Sequence, residues 1–243
     1  MIKLSERLER IANLINQNET MADIGTDHGF LPVSLWERGL CSKVILSDIN
    51  KGPLEKARKN IEMSNPGLDF DLRLGNGLET LEEGEVDTIV IAGMGGVLMT
   101  EILGHHLNKS KSFKKIILQP RNGQEKLRFW LNQSGFQIVR EELVREGGKI
   151  CEIILAQPLD YSKEGVSLTV EFELIAFELP NPGLLKDSPL IREFILNKLK
   201  IEKNIIERIS RGQKSESIIN SNKIEVSKKR IAYMKEYLRK LEG

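Results

Sequence analysis

A short stretch near the N-terminus, MADIGTDHGFLP (residues 21–32), places two carboxylates and an imidazole among glycines. Asp23, Asp27 and His28 are residue types that bind metal ions, transfer protons or hold polar ligands. A metal site needs three or four ligands, but no cysteine is adjacent to this stretch. The other histidines, His105 and His106, lie at the end of a different predicted helix, where a cationic side chain interacts favourably with the helix dipole. Acid–base chemistry lacks a nucleophile, because no GxSxG-type elbow is present. We therefore predict no metal site and interpret the stretch as a ligand-binding loop.

The loop stands where α/β proteins bind their ligands. It follows an apolar strand pattern and precedes a helical one, and ligands of parallel sheets lie beyond the carboxyl ends of the strands. Gly25 allows the backbone to approach a ligand closely, and Asp23 at the strand end can accept a hydrogen bond from an ammonium group. Asp48 ends the next predicted strand, 23 residues after Gly25, where a carboxylate binds ribose hydroxyls. These positions predict an adenosine-containing cofactor.

The charge of the loop distinguishes between adenosine cofactors. A dinucleotide requires a G-x-G-x-x-G loop that seats a pyrophosphate, whereas this loop reads G-T-D-H-G and has Asp27 where a phosphate has to lie. S-adenosylmethionine (SAM) has no phosphate and carries a sulfonium and an ammonium group, which an acid attracts. We therefore predict SAM as the cofactor, with Asn76 of the LGNGLE segment facing the adenine edge. Ordinary turn glycines and helix caps are the alternative interpretation.

The elements that must position these residues alternate between strands and helices. Apolar segments predict strands at residues 19–25, 42–49, 68–77, 85–96 and 114–120, and helical patterns separate most of them. Such alternation predicts right-handed βαβ units and a mostly parallel sheet. Residues 136–158 predict a closing hairpin around Gly147 and Gly148, and hence an antiparallel last strand. The predicted fold class is α/β, a Rossmann-like domain of the class I methyltransferase type.

The pattern changes beyond residue 160, and we predict two domains, 1–160 and 161–243. Residues 188–210 and 216–242 have apolar residues at alternating spacings of three and four, interrupted by Glu202 in the first segment and by Ser227 in the second. The segment SRGQKSES between them predicts a turn. These features predict an antiparallel helical hairpin of coiled-coil type.

Charge is distributed unevenly along the chain, although the formal net charge is only +1. Residues 186–243 contain 15 Lys and Arg against 8 Asp and Glu, a net charge of +7, whereas residues 1–185 carry −6. A basic appendage indicates a polyanionic partner, and a solvated helical face is the alternative. Cys41 and Cys151 have no CxxC partner, and no uncharged run approaches the roughly 18 residues of a membrane span. We predict a cytoplasmic protein without disulfides or a membrane partner, as a monomer or weak dimer.

Five segments of the chain carry a family resemblance: ADIGTDHGFLP, SDINKGPLEKA, GNGLE, IAGMGG and LQPRNGQEKLRFWL. They resemble motif blocks of the bacterial tRNA (adenine-22-N1)-methyltransferases, to about residue 158, and the helical hairpin is similar in kind. The resemblance implies SAM-dependent methylation of N1 of an adenine in the D-arm region of tRNA. Within these blocks we predict further cofactor contacts at Thr26, His28, Gly29, Ile49, Gly77, Gly93, Met94 and Gly95.

The end of the fourth strand favours a ring nitrogen as the methyl acceptor. Enzymes that methylate exocyclic amines usually end this strand in [DNS]-P-P-[FYW], whose polar residue holds the amine, whereas here residues 93–96 read Gly-Met-Gly-Gly. N1 of adenine has a lone pair and needs no deprotonation before it attacks. The enzyme then mainly aligns the reacting atoms about 3–3.5 Å apart, so the lack of an obvious general base does not count against this reaction.

Substrate contacts are predicted around the mouth of the site and on the basic C-terminal segment. Asp27 is the candidate catalytic residue, which orients the base or stabilises the cationic product, with a helix N-cap as the alternative role. Phe30 either stacks on the flipped base or is a core aromatic. Pro120, Arg121 and Asn122 are predicted to line the mouth. The predicted tRNA contacts of the C-terminal segment are Lys198, Arg208, Arg211, Lys214, Lys228, Lys229 and Arg230.

Two other kinds of function stay open from the sequence. One is a SAM methyltransferase that acts on a small molecule or a protein, with the basic segment as an oligomerisation hairpin. The other is a non-catalytic RNA-binding module with a SAM-type fold, against which the intact Asp23, Gly25 and Asp48 speak. The salt dependence of tRNA binding tests the first alternative, and calorimetry with SAM tests the second.

Overall fold

The computed structural model describes residues 2–159, 174–185, 188–211 and 218–242. The chain divides into two compact units, Met1–Leu168 and Thr169–Gly243, which are described separately. The predicted domain boundary at residue 160 lies outside the described residues, and so does most of the predicted turn between the two long helices. Both therefore stay predictions.

The first unit is built on one seven-stranded sheet. In spatial order its strands run β3-β2-β1-β4-β5-β7-β6. Strands β1 to β5 pair in parallel, and β7 lies antiparallel between β5 and β6. The direction of winding reverses between β1 and β4, which is where ligands bind in sheets of this kind. The bounds are β1 Met21–Ile24, β2 Val44–Asp48, β3 Asp71–Leu74, β4 Thr88–Met94, β5 Lys115–Pro120, β6 Phe136–Glu146 and β7 Lys149–Pro158.

Helices cover both faces of this sheet. Their bounds are α1 Glu6–Ala12, α2 Phe30–Glu37, α3 Lys51–Ser64, α4 Gly96–His105, α5 Leu107–Ser112 and α6 Gln124–Gln133. The first three bury side chains such as Ile11, Leu35 and Ile61 in one core, while α4 and α6 bury Met99 and Leu127 in another. Strands β1, β2 and β5 are buried at every position, as strands sandwiched between helices must be.

The predicted α/β fold and its antiparallel closing hairpin are confirmed. The sequence pattern did not predict α5 or the 3₁₀ turn at Gly77–Thr80. Helix α5 is six residues long and polar, and contacts with distant parts of the chain stabilise it. Ser110 Oγ donates to the Leu103 carbonyl at 2.8 Å, and Lys109 Nζ donates to the carbonyls of Leu78 and Leu81 at 3.1 and 2.6 Å. Local periodicity carries no signal of such contacts.

The second unit contains the two predicted long helices, here named α8 Ile191–Arg211 and α9 Ile218–Glu242. A 3₁₀ turn at Leu174–Phe177 and the single-turn helix α7 Pro182–Leu185 precede them. Helices α8 and α9 contact each other as a helical hairpin, and their buried side chains include Ile195, Leu199 and Met234. Within the described part of the chain, no helix is long and apolar enough to span a membrane.

The two polar positions that interrupt the apolar pattern, Glu202 and Ser227, are buried. Arg230 lies 3.2 Å from Glu202 Oε1 through Nη1 and 3.1 Å from Glu178 Oε2 through Nε. Lys198 Nζ lies 3.3 Å from Glu178 Oε1. These pairs offset part of the cost of burying the two carboxylates. Lys198 and Arg230 therefore take part in ion pairs within this unit, and the tRNA contacts predicted for them stay predictions.

Candidate active site

A cavity of about 760 Å³ opens at the carboxyl ends of β1, β2 and β4. Neighbouring parallel strands end at the same edge of a sheet, so loops that are distant in sequence meet there. Most of the residues predicted for the site in the first unit line this cavity: Asp23, Gly25, Thr26, Asp27, His28, Phe30, Asp48, Ile49, Asn76, Gly77, Gly93, Met94 and Arg121.

Asp23, in strand β1, forms part of the buried floor of the cavity and is 7% exposed. Its Oδ2 accepts a hydrogen bond from Thr26 Oγ1 at 2.8 Å. Burial raises the pKa of Asp23 to about 6, the Thr26 bond and the charge of Arg7 oppose that shift, and the charge of Asp48 adds to it. A cationic ligand beside this carboxyl favours the charged form and lowers the pKa again.

Asp48 is the last residue of β2 and is also buried. Its Oδ1 accepts the backbone N–H of Asn50 at 2.9 Å, which fixes the orientation of the carboxylate. Its carbonyl oxygen accepts the N–H of Gly75 at 3.1 Å, which ties the end of β2 to the loop that carries Asn76. Ile49, next along the chain, is exposed and lines the same cavity. One acid, one amide and one apolar side chain therefore share this side of the cavity.

Two glycines keep side chains out of the cavity. Gly25 has φ +77°, and a Cβ at this position would lie 2.1 Å from Met94 Cε. Gly93 has φ +76° at a bulge in β4, where a Cβ would lie 3.6 Å from Nη2 of Arg121. Both backbones adopt a conformation that strains any L side chain. The site therefore presents bare backbone to a ligand at the ends of both β1 and β4.

The mouth of the cavity carries Asp27, His28 and Phe30. Asp27 has φ +50°, an uncommon conformation for a residue other than glycine. Its carboxylate lies 3.4 Å from His28 Nε2 and 3.9 Å from Lys56 Nζ, and the side chain is 59% exposed. The rings of His28 and Phe30 stack at 5.2 Å between centroids, with 11° between their planes.

Two alternatives raised by the sequence are wrong at this mouth. The N-cap of α2 is Gly29, and no side chain caps it, so Asp27 is not a helix cap. Phe30 is 38% exposed and lines the cavity, so it is not a core aromatic. The exposed carboxylate of Asp27 and the stacked rings of His28 and Phe30 therefore lie at the opening of the cavity.

Four predicted contact residues do not line the cavity: Gly29, Gly95, Pro120 and Asn122. A Cβ on Gly29 would lie 2.8 Å from Leu46 Cδ2, and one on Gly95 would lie 3.0 Å from Asn122 Oδ1. These glycines therefore allow close packing of loops against β2 and of α4 against the loop after β5. Pro120 is buried at the end of β5. Asn122 is exposed in the loop after β5, and the ligand contacts predicted for these four residues stay predictions.

The N-terminal segment also lines the cavity, through Lys3, Ser5 and Arg7, and so does Glu146 at the end of β6. Arg7 forms an ion pair with Glu146 and donates from Nη1 to Gln119 Oε1 at 3.0 Å. The sequence did not predict any of these residues. Their position depends on the packing of α1 against β6, which joins parts of the chain that are more than 120 residues apart, and no local motif signals it.

The cations predicted to contact tRNA differ in their exposure within the second unit. Arg208, Arg211, Lys228 and Lys229 are exposed on α8 and α9. Arg211 lies 3.5 Å from Glu207 in an exposed pair, which screens its charge only weakly. Lys214 lies outside the described residues.

The cavity fits the predicted cofactor by the chemistry of its donors. Asp23 and Asp48 make its floor acidic, which suits an ammonium group and ribose hydroxyls and opposes a phosphate. A Cβ on Gly25 would overlap the Met94 methyl that lines the cavity, so this position requires glycine. Ile49 and Met94 supply apolar surface for a purine ring.

Comparisons with known proteins identify the family of domains to which the first unit is similar. Residues 4–154 match a family model described as a methyltransferase domain. The chain is 32% identical over 240 residues to the tRNA (adenine(22)-N(1))-methyltransferase of Bacillus subtilis, with 98% of each chain covered.

Two solved structures extend the likeness to nearly the whole chain. One is the B. subtilis m1A22 tRNA methyltransferase TrmK, with a TM-score of 0.80 and 31% identity over 97% of this chain and 99% of that one. The other is M. capricolum TrmK in complex with S-adenosyl-homocysteine, with a TM-score of 0.77 and 25% identity over 97% and 98% of the two chains.

Proposed function

The chain belongs to the tRNA (adenine(22)-N(1))-methyltransferase family, and we propose that it methylates N1 of adenine 22 of tRNA, with SAM as the methyl donor. The observation that carries this proposal is the acidic floor of the cavity, where Asp23 and Asp48 lie buried at the ends of adjacent strands. A direct test is transfer of a labelled methyl group from SAM to bulk tRNA. The assay is also run in an extract that contains proteins and small molecules besides tRNA. Equal labelling of those molecules contradicts the proposal.

We assign the cofactor contacts to the two carboxylates and the loops beside them. Asp48 accepts hydrogen bonds from the ribose hydroxyls, and Asp23 holds the ammonium group. Asn76 faces the adenine edge, Ile49 covers the adenine face, and Gly25 lets the backbone approach the methionine part. Each of these residues lines the same cavity, so one ligand can reach all of them.

We expect SAM to bind about ten times more tightly at pH 7 than at pH 5, because Asp23 must be ionised to hold the ammonium group. Its pKa of about 6 in the free protein means that it is mostly protonated at pH 5. A bound cation lowers that pKa, so binding releases a proton and strengthens as the pH rises through 6. Calorimetry between pH 5 and 7 measures this change.

Asp23→Asn is the matched control for the pH series. It keeps the shape of the side chain, lacks the titrating group, and is expected to bind SAM weakly with a flat pH dependence. An affinity of the parent protein that does not change between pH 5 and 7 removes the assignment of Asp23 to the ammonium group.

The bound cofactor would supply the methyl group. The lone pair of adenine N1 can attack it directly, because N1 carries no proton that must first be removed. The N–C bond would form as the S–C bond of the cofactor breaks, the bonding electrons would stay on the sulfur, and the positive charge would pass from the sulfonium to the base. Asp27 lies exposed at the mouth, where its carboxylate can stabilise that charge. The stacked rings of His28 and Phe30 offer a surface for a base that has left its own stack. The bare backbone at Gly93 leaves room for the base beside β4.

We expect Asp27→Ala to lower kcat on the order of 100-fold while SAM affinity changes less than about threefold. The estimate is the typical cost of removing one group that stabilises charge in a transition state. Steady-state kinetics at saturating SAM and calorimetry with SAM alone measure the two quantities separately.

Glu55→Ala is the control for Asp27, because Glu55 is an exposed acid on the neighbouring α3 that does not line the cavity. It is expected to leave both quantities unchanged. A collapse of SAM affinity in Asp27→Ala with normal kcat at saturating SAM instead assigns Asp27 to cofactor binding.

We propose that the exposed cations of α8 and α9 hold the tRNA backbone. Base flipping costs a few kcal/mol, which contacts to phosphates must offset. The four cations Arg208, Arg211, Lys228 and Lys229 are exposed in a segment of net charge +7.

A tRNA substrate, together with two free cysteines, supports a cytoplasmic site of action.

A further inference from the structure

Glu79, His105 and His106 form a cluster beside the cofactor cavity. One ligand atom from each of the three side chains lies within 4.8 Å of the other two. Among the described residues, this is the group of three His, Cys, Asp or Glu side chains with metal-binding geometry. Two imidazoles and a carboxylate are a donor set that transition metals, zinc in particular, bind well.

The local fold explains why two successive histidines face one ligand position. His105 ends α4, and His106 leaves the helical conformation with φ −127° and ψ 58°. The change of direction brings the two rings to 4.7 Å between centroids, nearly perpendicular at 89°. Glu79 reaches the same place from the 3₁₀ turn Gly77–Thr80, which packs against α4.

A second observation points to a ligand at this place. The Nε2 atom of His106 is buried and has no hydrogen-bond partner in the described structure. A buried polar atom without a partner is costly, and such atoms in native structures usually contact water or an ion. A cavity of about 160 Å³ adjoins the cluster, and Glu79, His105 and His106 all line it.

We propose that Glu79, His105 and His106 bind a zinc ion. Each histidine supplies one ring nitrogen, Glu79 supplies one carboxylate oxygen, and a water molecule completes a tetrahedron. Small rotations of these side chains bring the donor atoms to the spacing that zinc requires. Glu79 and His105 are exposed, which gives the ion and its water a path from solvent.

The bound ion links the cofactor loop to α4. Asn76 directly precedes the turn that carries Glu79, and a Cβ on Gly77 would lie 2.9 Å from Ile102 of α4, so loop and helix already pack closely. A zinc ion held by Glu79, His105 and His106 adds a second connection between this loop and the C-terminal end of α4. The ion lies outside the proposed methyl-transfer chemistry, so its binding is measurable in the full chain without tRNA or SAM.

The test is titration of the full-length, tag-free, reduced protein with Zn²⁺ by calorimetry and with Co²⁺ by visible absorption. We expect one ion per chain and a melting temperature that rises with Zn²⁺ concentration. Glu79→Gln and His105→Asn each weaken Zn²⁺ binding at least about tenfold, since even the loss of an outer partner of a metal ligand costs 10- to 100-fold. Both residues are exposed, so these variants are expected to fold.

Glu101→Gln is the matched control, because Glu101 lines the same cavity but is not one of the three ligands. It is expected to bind Zn²⁺ like the parent protein. The proposal is overturned if the parent binds neither ion at micromolar concentration. It is equally overturned if Glu79→Gln and His105→Asn bind Zn²⁺ like the parent, which places the ion elsewhere, for example on a cysteine.

Discussion

Replacing Asp48 with alanine weakens SAM binding on the order of 30- to 1000-fold while the fold stays intact. The carboxylate stands buried at the end of β2 with its orientation fixed by the N–H of Asn50, so it is ready to accept both ribose hydroxyls. Loss of this pair of charge-assisted hydrogen bonds costs about 2–4 kcal/mol. Calorimetry with SAM at pH 7 measures the change.

Asp69→Ala is the control for this variant. Asp69 is an exposed acid just before β3 that does not line the cavity, so its replacement leaves SAM affinity unchanged. Thermal melting of both variants establishes that they fold. Unchanged SAM affinity in a folded Asp48→Ala protein contradicts the assignment of this residue to the ribose.

The second large effect is expected for tRNA. Replacing the four exposed cations of α8 and α9 with glutamine lowers tRNA affinity on the order of 100- to 1000-fold near 0.1 M salt. Each protein cation that contacts a phosphate releases about one counterion from the RNA, and a lost contact releases none. Loss of four contacts therefore makes the slope of log affinity against log salt shallower by about three. SAM affinity stays the same, because none of the four lines the cavity. The substituted residues are Arg208, Arg211, Lys228 and Lys229.

A variant with four glutamines on the first unit separates a local effect from a change of net charge. Its positions are exposed cations outside the cavity: Arg58, Lys59, Lys126 and Lys149. We expect a much smaller change of the salt slope in this variant. Equal loss of affinity in the two variants contradicts the proposal that α8 and α9 form the tRNA-binding surface.

The individual strands were predictable because each carries its own signal in the sequence. Strands β1, β2 and β5 are buried at every position and rich in apolar residues, and the turn at Gly147 and Gly148 marks the closing hairpin. Short polar elements such as α5 were not predictable, because hydrogen bonds to distant carbonyls hold them in place. Glu202 and Ser227 looked like interruptions of a helical stripe but are buried in it. Glu202 can be buried because Arg230 pairs with its carboxylate.

The floor of the site was predictable and its rim was not. Asp23, Gly25 and Asp48 stand at strand ends, where topology alone places ligand contacts. Arg7 and Glu146 reach the rim through the packing of α1 on β6, and Glu79 meets two histidines only because α4 ends where it does. Glycines are ambiguous in sequence. Gly25 faces the cavity, whereas Gly29 and Gly95 serve close packing.

Mapping the methylated nucleotide tests directly whether the protein methylates N1 of adenine 22. Two unmodified tRNA transcripts, identical except for adenine or guanine at position 22, are incubated with the protein and SAM, then digested and analysed by mass spectrometry. We expect one methyl group per tRNA, as 1-methyladenosine at position 22, and none on the guanine transcript. A methyl group on the exocyclic amine, or equal methylation of both transcripts, contradicts it.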